Sequence, residues 1–171
     1  TNATSGVVYF GGTTSLGVNG NDSNTIDHCD IGDREPANAN HATNAIYSAG
    51  TTTTAAKNNN SNTISNNNIY NFYSSSATVD ATGVLLSVGN ADWTITGNSF
   101  YQTVARGEVA ATSRAIYVNN PIGNNFTVTN NVIGGSGPNA TGTWTTTGFT
   151  KTHKFVGIQL SVGSTTPSNV Q

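Results

Sequence analysis

The chain of 171 residues has only 8% charged side chains and a formal net charge of -2, against roughly 25% charged residues in ordinary soluble domains. Its six Lys and Arg are scattered and make no basic stripe for nucleic acid or an anionic membrane. No apolar run approaches the roughly 18 residues of a membrane span, and no charged-then-apolar signal opens the chain.

Asn, Thr, Ser and Gly dominate the composition, and such uncharged polar surfaces suit an extracellular setting. A 35% hydrophobic content is enough to bury a core. Recurring apolar pairs with little net charge argue for a folded β protein over disorder. The length fits one domain, residues 1–171, or one piece of a longer array. A single cysteine excludes an internal disulfide framework.

A first type of strand recurs at 5–10 (S-G-V-V-Y-F), 44–49 (N-A-I-Y-S-A), 82–87 (T-G-V-L-L-S), 114–119 (R-A-I-Y-V-N) and 156–161 (V-G-I-Q-L-S). In each, Gly or Ala precedes an aliphatic residue. Alternation predicts Val7, Ile46, Val84, Ile116 and Ile158 on one face and Val8, Tyr47, Leu85, Tyr117 and Gln159 on the other. A second strand follows each of the first four, centred on Ile26, Ile64, Ile95 and Val128 at separations of 38, 31 and 33 residues. Three residues later stand Cys29, Asn67, Asn98 and Asn131, and five later Ile31, Ile69, Phe100 and Ile133, which mark a third, short strand.

These separations define a repeat protein. Three strands per coil, stacked about 4.8 Å apart on the next coil, predict an all-β parallel solenoid of four to five coils. The stretches 33–43, 73–81, 103–112 and 135–154 follow the third strand and read as long loops leaving one side. Asn67, Asn98 and Asn131 are expected to bend the chain at φ > 0 and to form an inward ladder, with Cys29 continuing it as a small buried substitute. Neither end shows a capping segment, so the chain is expected to continue into further coils at both ends.

The pattern G-V-x-L followed by N-T-I-x-x-N-x-I, from Gly6 to Ser161, resembles the right-handed parallel β-helix repeat of the pectate-lyase-like superfamily. Its Asn- and Thr-rich texture is most similar to the β-helix regions of large secreted bacterial cell-surface proteins. The resemblance implies a right-handed β-helix and a secreted or surface location. Its implied function is a structural or adhesive segment that touches polysaccharide or another surface component. Its alternative is a fragment of a polysaccharide lyase or glycoside hydrolase, although the N-T-D, D-D, G-H-G and R-I-K signatures of polygalacturonases are absent.

Candidate sites are few. Asp27, Asp30 and Asp33, with Glu35, are candidate calcium ligands, and no other cofactor is expected. Asp80, Asp92 and Glu108 stand alone, which makes the two-carboxylate requirement of glycoside hydrolysis hard to meet. The row Tyr47, Leu85, Tyr117 and Gln159 is a candidate ligand surface, and the loop aromatics Phe72, Tyr73, Tyr101 and Trp144 are expected near it. Its alternative is burial under returning loops. The outward pairs Thr25/Asp27, Thr63/Ser65, Thr94/Thr96 and Thr127/Thr129 have the geometry of an ice-binding array, and Thr is also an ordinary exposed strand residue.

Overall fold

The computed structural model describes residues 2–32, 42–107, 112–148 and 153–171. These are nearly all β, with two single-turn 3-10 segments at Ala55–Lys57 and Pro138–Ala140. Three parallel sheets hold most of the strands. The first contains Gly6–Phe10, Asn44–Ser48, Ala81–Leu86, Thr112–Asn120 and Lys154–Val162, side by side in that order. The second contains Thr25–Asp27, Thr63–Ser65, Thr94–Thr96, Thr127–Thr129 and Asn169–Val170. The third contains Asp30–Gly32, Asn68–Tyr70, Ser99–Tyr101 and Val132–Ile133. The chain visits first, second and third sheets in that sequence repeatedly, and each strand lies beside its counterpart from the previous visit. This architecture is compatible with a solenoid.

Register aligns the apolar residues into rows. Ile26, Ile64, Ile95, Val128 and Val170 form one; Ile31, Ile69, Phe100 and Ile133 form another. The first sheet supplies Val8, Ile46, Val84, Ile116 and Ile158. The central members of all three rows are fully buried, each worth about 1.5–3 kcal/mol of transfer free energy. Val8 corrects the expectation for Val7, which is 52% exposed. Both neighbours are valine, so alternation alone had no preference, whereas pairing Val8 with Ile46 also packs Phe10 against Trp93 at 5.1 Å.

The Gly or Ala before each aliphatic residue has a steric cause. The register pairs Thr82 with Arg114 and Val84 with Ile116 but omits Gly83 and Ala115, and Ala115 and Ile116 are both fully buried. Alternation therefore breaks there, and two successive residues turn inward. A Cβ on Gly83 would come within 2.8 Å of Cδ1 of Phe100 and 2.5 Å of the Ala115 carbonyl oxygen. Only a residue without a side chain fits opposite the large third-sheet aromatic.

Two bends flank each of the first four second-sheet strands. Before it lie Ser23, Ser61, Asp92 and Asn125, at φ 57, 55, 59 and 60°, and after it His28, Asn66, Gly97 and Asn130, at φ 53, 54, 67 and 56°. The left-handed residue is thus the one preceding each expected Asn, a correction to the sequence reading. Asn and Gly at three of the four later positions meet this conformation at low cost.

The asparagines themselves tie successive rows together. Asn98 Oδ1 accepts from the main-chain N–H and Nδ2 of Asn67, both at 3.0 Å, and Asn98 Nδ2 donates to the Ile64 carbonyl at 2.9 Å. Asn131 repeats this toward Asn98, at 3.0 Å for both bonds, and toward the Ile95 carbonyl at 2.9 Å. Asn67 Oδ1 accepts the Cys29 N–H at 2.9 Å. The Cys29 side chain is exposed and donates to the Asp27 carbonyl; the expected burial is not met, because no described residue covers the outer side of its row.

A second polar row lies before the second sheet. Asn24 donates to Asn62 Oδ1 through its main-chain N–H at 2.8 Å and through Nδ2 at 3.0 Å, and Asn62 Nδ2 donates to the Asn21 carbonyl at 2.7 Å. Trp93 and Phe126 occupy the same position in later visits, 1% exposed each. Excursions also leave between the first and second sheets, at 11–24 and 49–58, where Thr51 and Lys57 donate to the carbonyls of Thr13 and Ser15. Long loops are therefore not confined to one side.

Asn98→Leu, which strands the Asn67 N–H and the Ile64 carbonyl, is expected to cost about 1–3 kcal/mol, read as a lower urea midpoint; an unchanged midpoint would contradict the rung geometry. Gly83→Val is expected to cost about 1–3 kcal/mol through overpacking against Phe100. Gly157→Ala, whose added Cβ meets only Ile133 Cδ1 at 3.6 Å, should leave the midpoint nearly unmoved.

Candidate functional site

The outer face of the first sheet carries the row Tyr9, Tyr47, Leu85, Tyr117 and Gln159. Tyr9 extends the sequence-derived row as a consequence of the corrected register. Its ring stacks on Tyr47 at 5.4 Å and 11°. Tyr47 is buried, while Leu85, Tyr117 and Gln159 are half-buried. Burial first, then the neighbouring Tyr9 phenol, push the Tyr47 hydroxyl above its ordinary pKa of 10.0, against a smaller opposing effect of the Ser87 hydrogen bond.

Beside this row the broken alternation produces a feature that period-two reading conceals. Two consecutive inward residues, Ala115 and Ile116, place Arg114 and Tyr117 on the same outer face. The Arg114 guanidinium carbon lies 4.5 Å above the centre of the Tyr117 ring. Its Nε donates to Gln159 Oε1 at 2.7 Å and its Nη1 to Asp80 Oδ2 at 2.6 Å. The three partners come from different passes of the chain: Asp80 precedes the strand Ala81–Leu86, Arg114 lies on the next strand, and Gln159 on the one after. Together with Asn44, Thr78, Val79, Thr82 and Leu85, Asp80 and Arg114 line a hollow of ≈ 220 Å³.

The loop aromatics lie elsewhere. Phe72 enters the core and meets Trp144 edge-on at 6.0 Å, and Tyr101 stacks on Tyr70 at 5.1 Å on the third sheet. Tyr73 donates through its hydroxyl to the Gly107 carbonyl. A larger, apolar hollow of ≈ 410 Å³ is lined by Trp144, Phe155, His153, Gly134 and Thr146.

Asp27 and Asp30 sit on opposite sides of the bend after the second sheet. Asp27 Oδ1 accepts from Ser65 Oγ at 2.7 Å and Asn66 Nδ2 at 3.0 Å, and its Oδ2 lies 2.7 Å from His28 Nδ1. Asp30 Oδ1 accepts from Asn68 Nδ2 at 2.7 Å. Asp33 and Glu35 lie outside the described residues. Among the described residues no three His, Cys, Asp or Glu side chains gather as metal ligands. The Ser65 hydrogen bond, then those of His28 and Asn66, lower the Asp27 pKa from 3.8 to about 2.

The outer face of the second sheet aligns Thr25, Thr63, Thr94 and Thr127 in one row and Asp27, Ser65, Thr96 and Thr129 in the other. Thr96 and Thr129 hydroxyls lie 3.1 Å apart and hydrogen-bond each other. No helix among the described residues is long and apolar enough to cross a membrane. Compared with known proteins, the chain matches no family model, no curated protein and no solved structure. The arrangement of side chains therefore carries the functional reading alone.

Three site features were hidden in the sequence. Arg114 shares parity with the inward Ile116, so strict alternation assigns it to the core. Asp80 is isolated in sequence and joins Arg114 only through parallel pairing. The second asparagine row was marked by Asn two residues before Ile26 and Ile64, a signal that ends where Trp93 and Phe126 begin.

The Asp27 network predicts a defined acid response. Because its folded pKa is depressed, its stabilising contribution is complete above 3.8 and is lost as pH falls toward about 2. Thermal melts of wild type and Asp27→Asn should therefore differ at pH 6 and converge at pH 2; a constant difference would contradict the network.

Proposed function

We propose that this chain is a right-handed parallel β-helical segment, of the pectate-lyase-like kind, that serves as a stiff structural or adhesive part of a secreted or cell-surface bacterial protein. The observation that carries this reading is the stacking of three parallel sheets in continuous register, tied at the bends by Asn67, Asn98 and Asn131. Each pass contacts its neighbours through main-chain pairing and shared apolar rows, an arrangement that resists bending and can be extended without changing its cross-section. Recognition is assigned to the outer face of the first sheet, where the exposed Tyr9, the half-buried Tyr117 and the hollow beside Tyr117 suit contact with polysaccharide.

An adhesive segment binds glycan without cleaving it. Incubation with a panel of plant, algal and bacterial polysaccharides is expected to show retention of at least one glycan in affinity electrophoresis. No new reducing ends or unsaturated sugars should be released. Release of either product would replace the adhesive reading with a lyase or hydrolase; thermal hysteresis without glycan binding would move it to the threonine rows of the second sheet.

A further inference from the structure

We propose that the hollow beside Arg114 is a subsite for one uncharged sugar ring, held through two neighbouring hydroxyls by Arg114 and Asp80; the assignment rests on the glycan-contact reading above. Charge decides the ligand class. The guanidinium already meets a carboxylate at 2.6 Å, so the pair is close to neutral, and a uronate or phosphate brought to Arg114 would also face Asp80. An uncharged diol meets no such repulsion.

The hydrogen-bonding capacity left at the pair matches a diol. Of the five N–H donors of a guanidinium, two are used by Gln159 and Asp80. Asp80 Oδ2 takes one hydrogen bond, and Oδ1 takes none from the described residues. One ligand hydroxyl can therefore donate to Asp80 Oδ1 while its neighbour accepts from Arg114, both charge-assisted bonds. The donor and acceptor are prearranged. The Arg114 side chain is 13% exposed and fixed by Asp80, Gln159 and Tyr117, whereas the Asp80 side chain is 41% exposed and reachable.

Shape and surface agree with this class. Val79, Leu85 and Tyr117 supply apolar area against ring C–H groups. A volume of ≈ 220 Å³ is below the roughly 300–1,000 Å³ of sites for drug-sized ligands, which suits one ring and excludes an oligosaccharide. A longer glycan would pass one unit through the hollow and leave the rest along the face.

The test is calorimetric titration of the intact chain with neutral glucan, galactan, mannan and xylan, and with polygalacturonate and alginate. It is repeated in the presence of excess methyl glycoside of the bound polymer's sugar. Wild type is expected to bind a neutral polymer, to prefer it to the polyuronates, and to release it to the methyl glycoside. Arg114→Gln should weaken binding about tenfold or more. Leu85→Trp, which fills the hollow while leaving both members of the ion pair in the chain, should do the same with an unchanged circular dichroism spectrum. Unchanged binding in both variants, a preference for polyuronate, or no competition by the methyl glycoside would each overturn the subsite and leave glycan contact standing. Absence of binding to every polymer would overturn both.

Discussion

The hydrogen bond from a main-chain N–H in one pass to the side-chain carbonyl of an asparagine in the next is the constraint on which the structure depends. A sharp bend leaves peptide groups that no sheet can pair, and burying them unpaired is costly. Asn67, Asn98 and Asn131 satisfy those groups by reaching across rows, so the bend becomes part of the stack. The second and third sheets, only two or three residues wide at each pass, are held in register by these fixed corners as much as by their own few ladder bonds.

The inner surface was largely legible from period-two alternation and from the regular distance between an isoleucine and the asparagine after it. Those signals work because one face must be apolar and one corner must carry an amide. They fail where the local pattern is degenerate or broken. Val7 and Val8 are chemically identical, so only packing of Phe10 against Trp93 separates the two registers. At Gly83 and Ala115 the strand turns two residues inward in succession, and everything before that point changes face relative to a strict alternation. Arg114 was concealed by that shift alone. Asp80 was concealed for a different reason: its partner is 34 residues away, and nothing local records a contact created by parallel stacking.

The scarcity of charge sharpens the meaning of the few charged groups that exist. Asp27 has both oxygens engaged by Ser65, Asn66 and His28 at an exposed corner. The Asp80 carboxylate keeps one oxygen without a hydrogen bond among the described residues, next to an arginine with donors to spare. One carboxylate is saturated by its own fold; the other is held in position but incompletely used. That difference, more than proximity in sequence, separates a structural acid from a candidate binding group.

The distance between equivalent residues of successive rows varies from 31 residues, Ile64 to Ile95, to 42 residues, Val128 to Val170, while the pairing remains in step. All of that variation is absorbed outside the rows, in the excursions between sheets. The frame therefore tolerates insertion and deletion in the excursions before and after the first sheet without transmitting them to the next pass. A lineage carrying this frame can exchange whole loops as cassettes, altering what the surface presents while the inner rows keep their register.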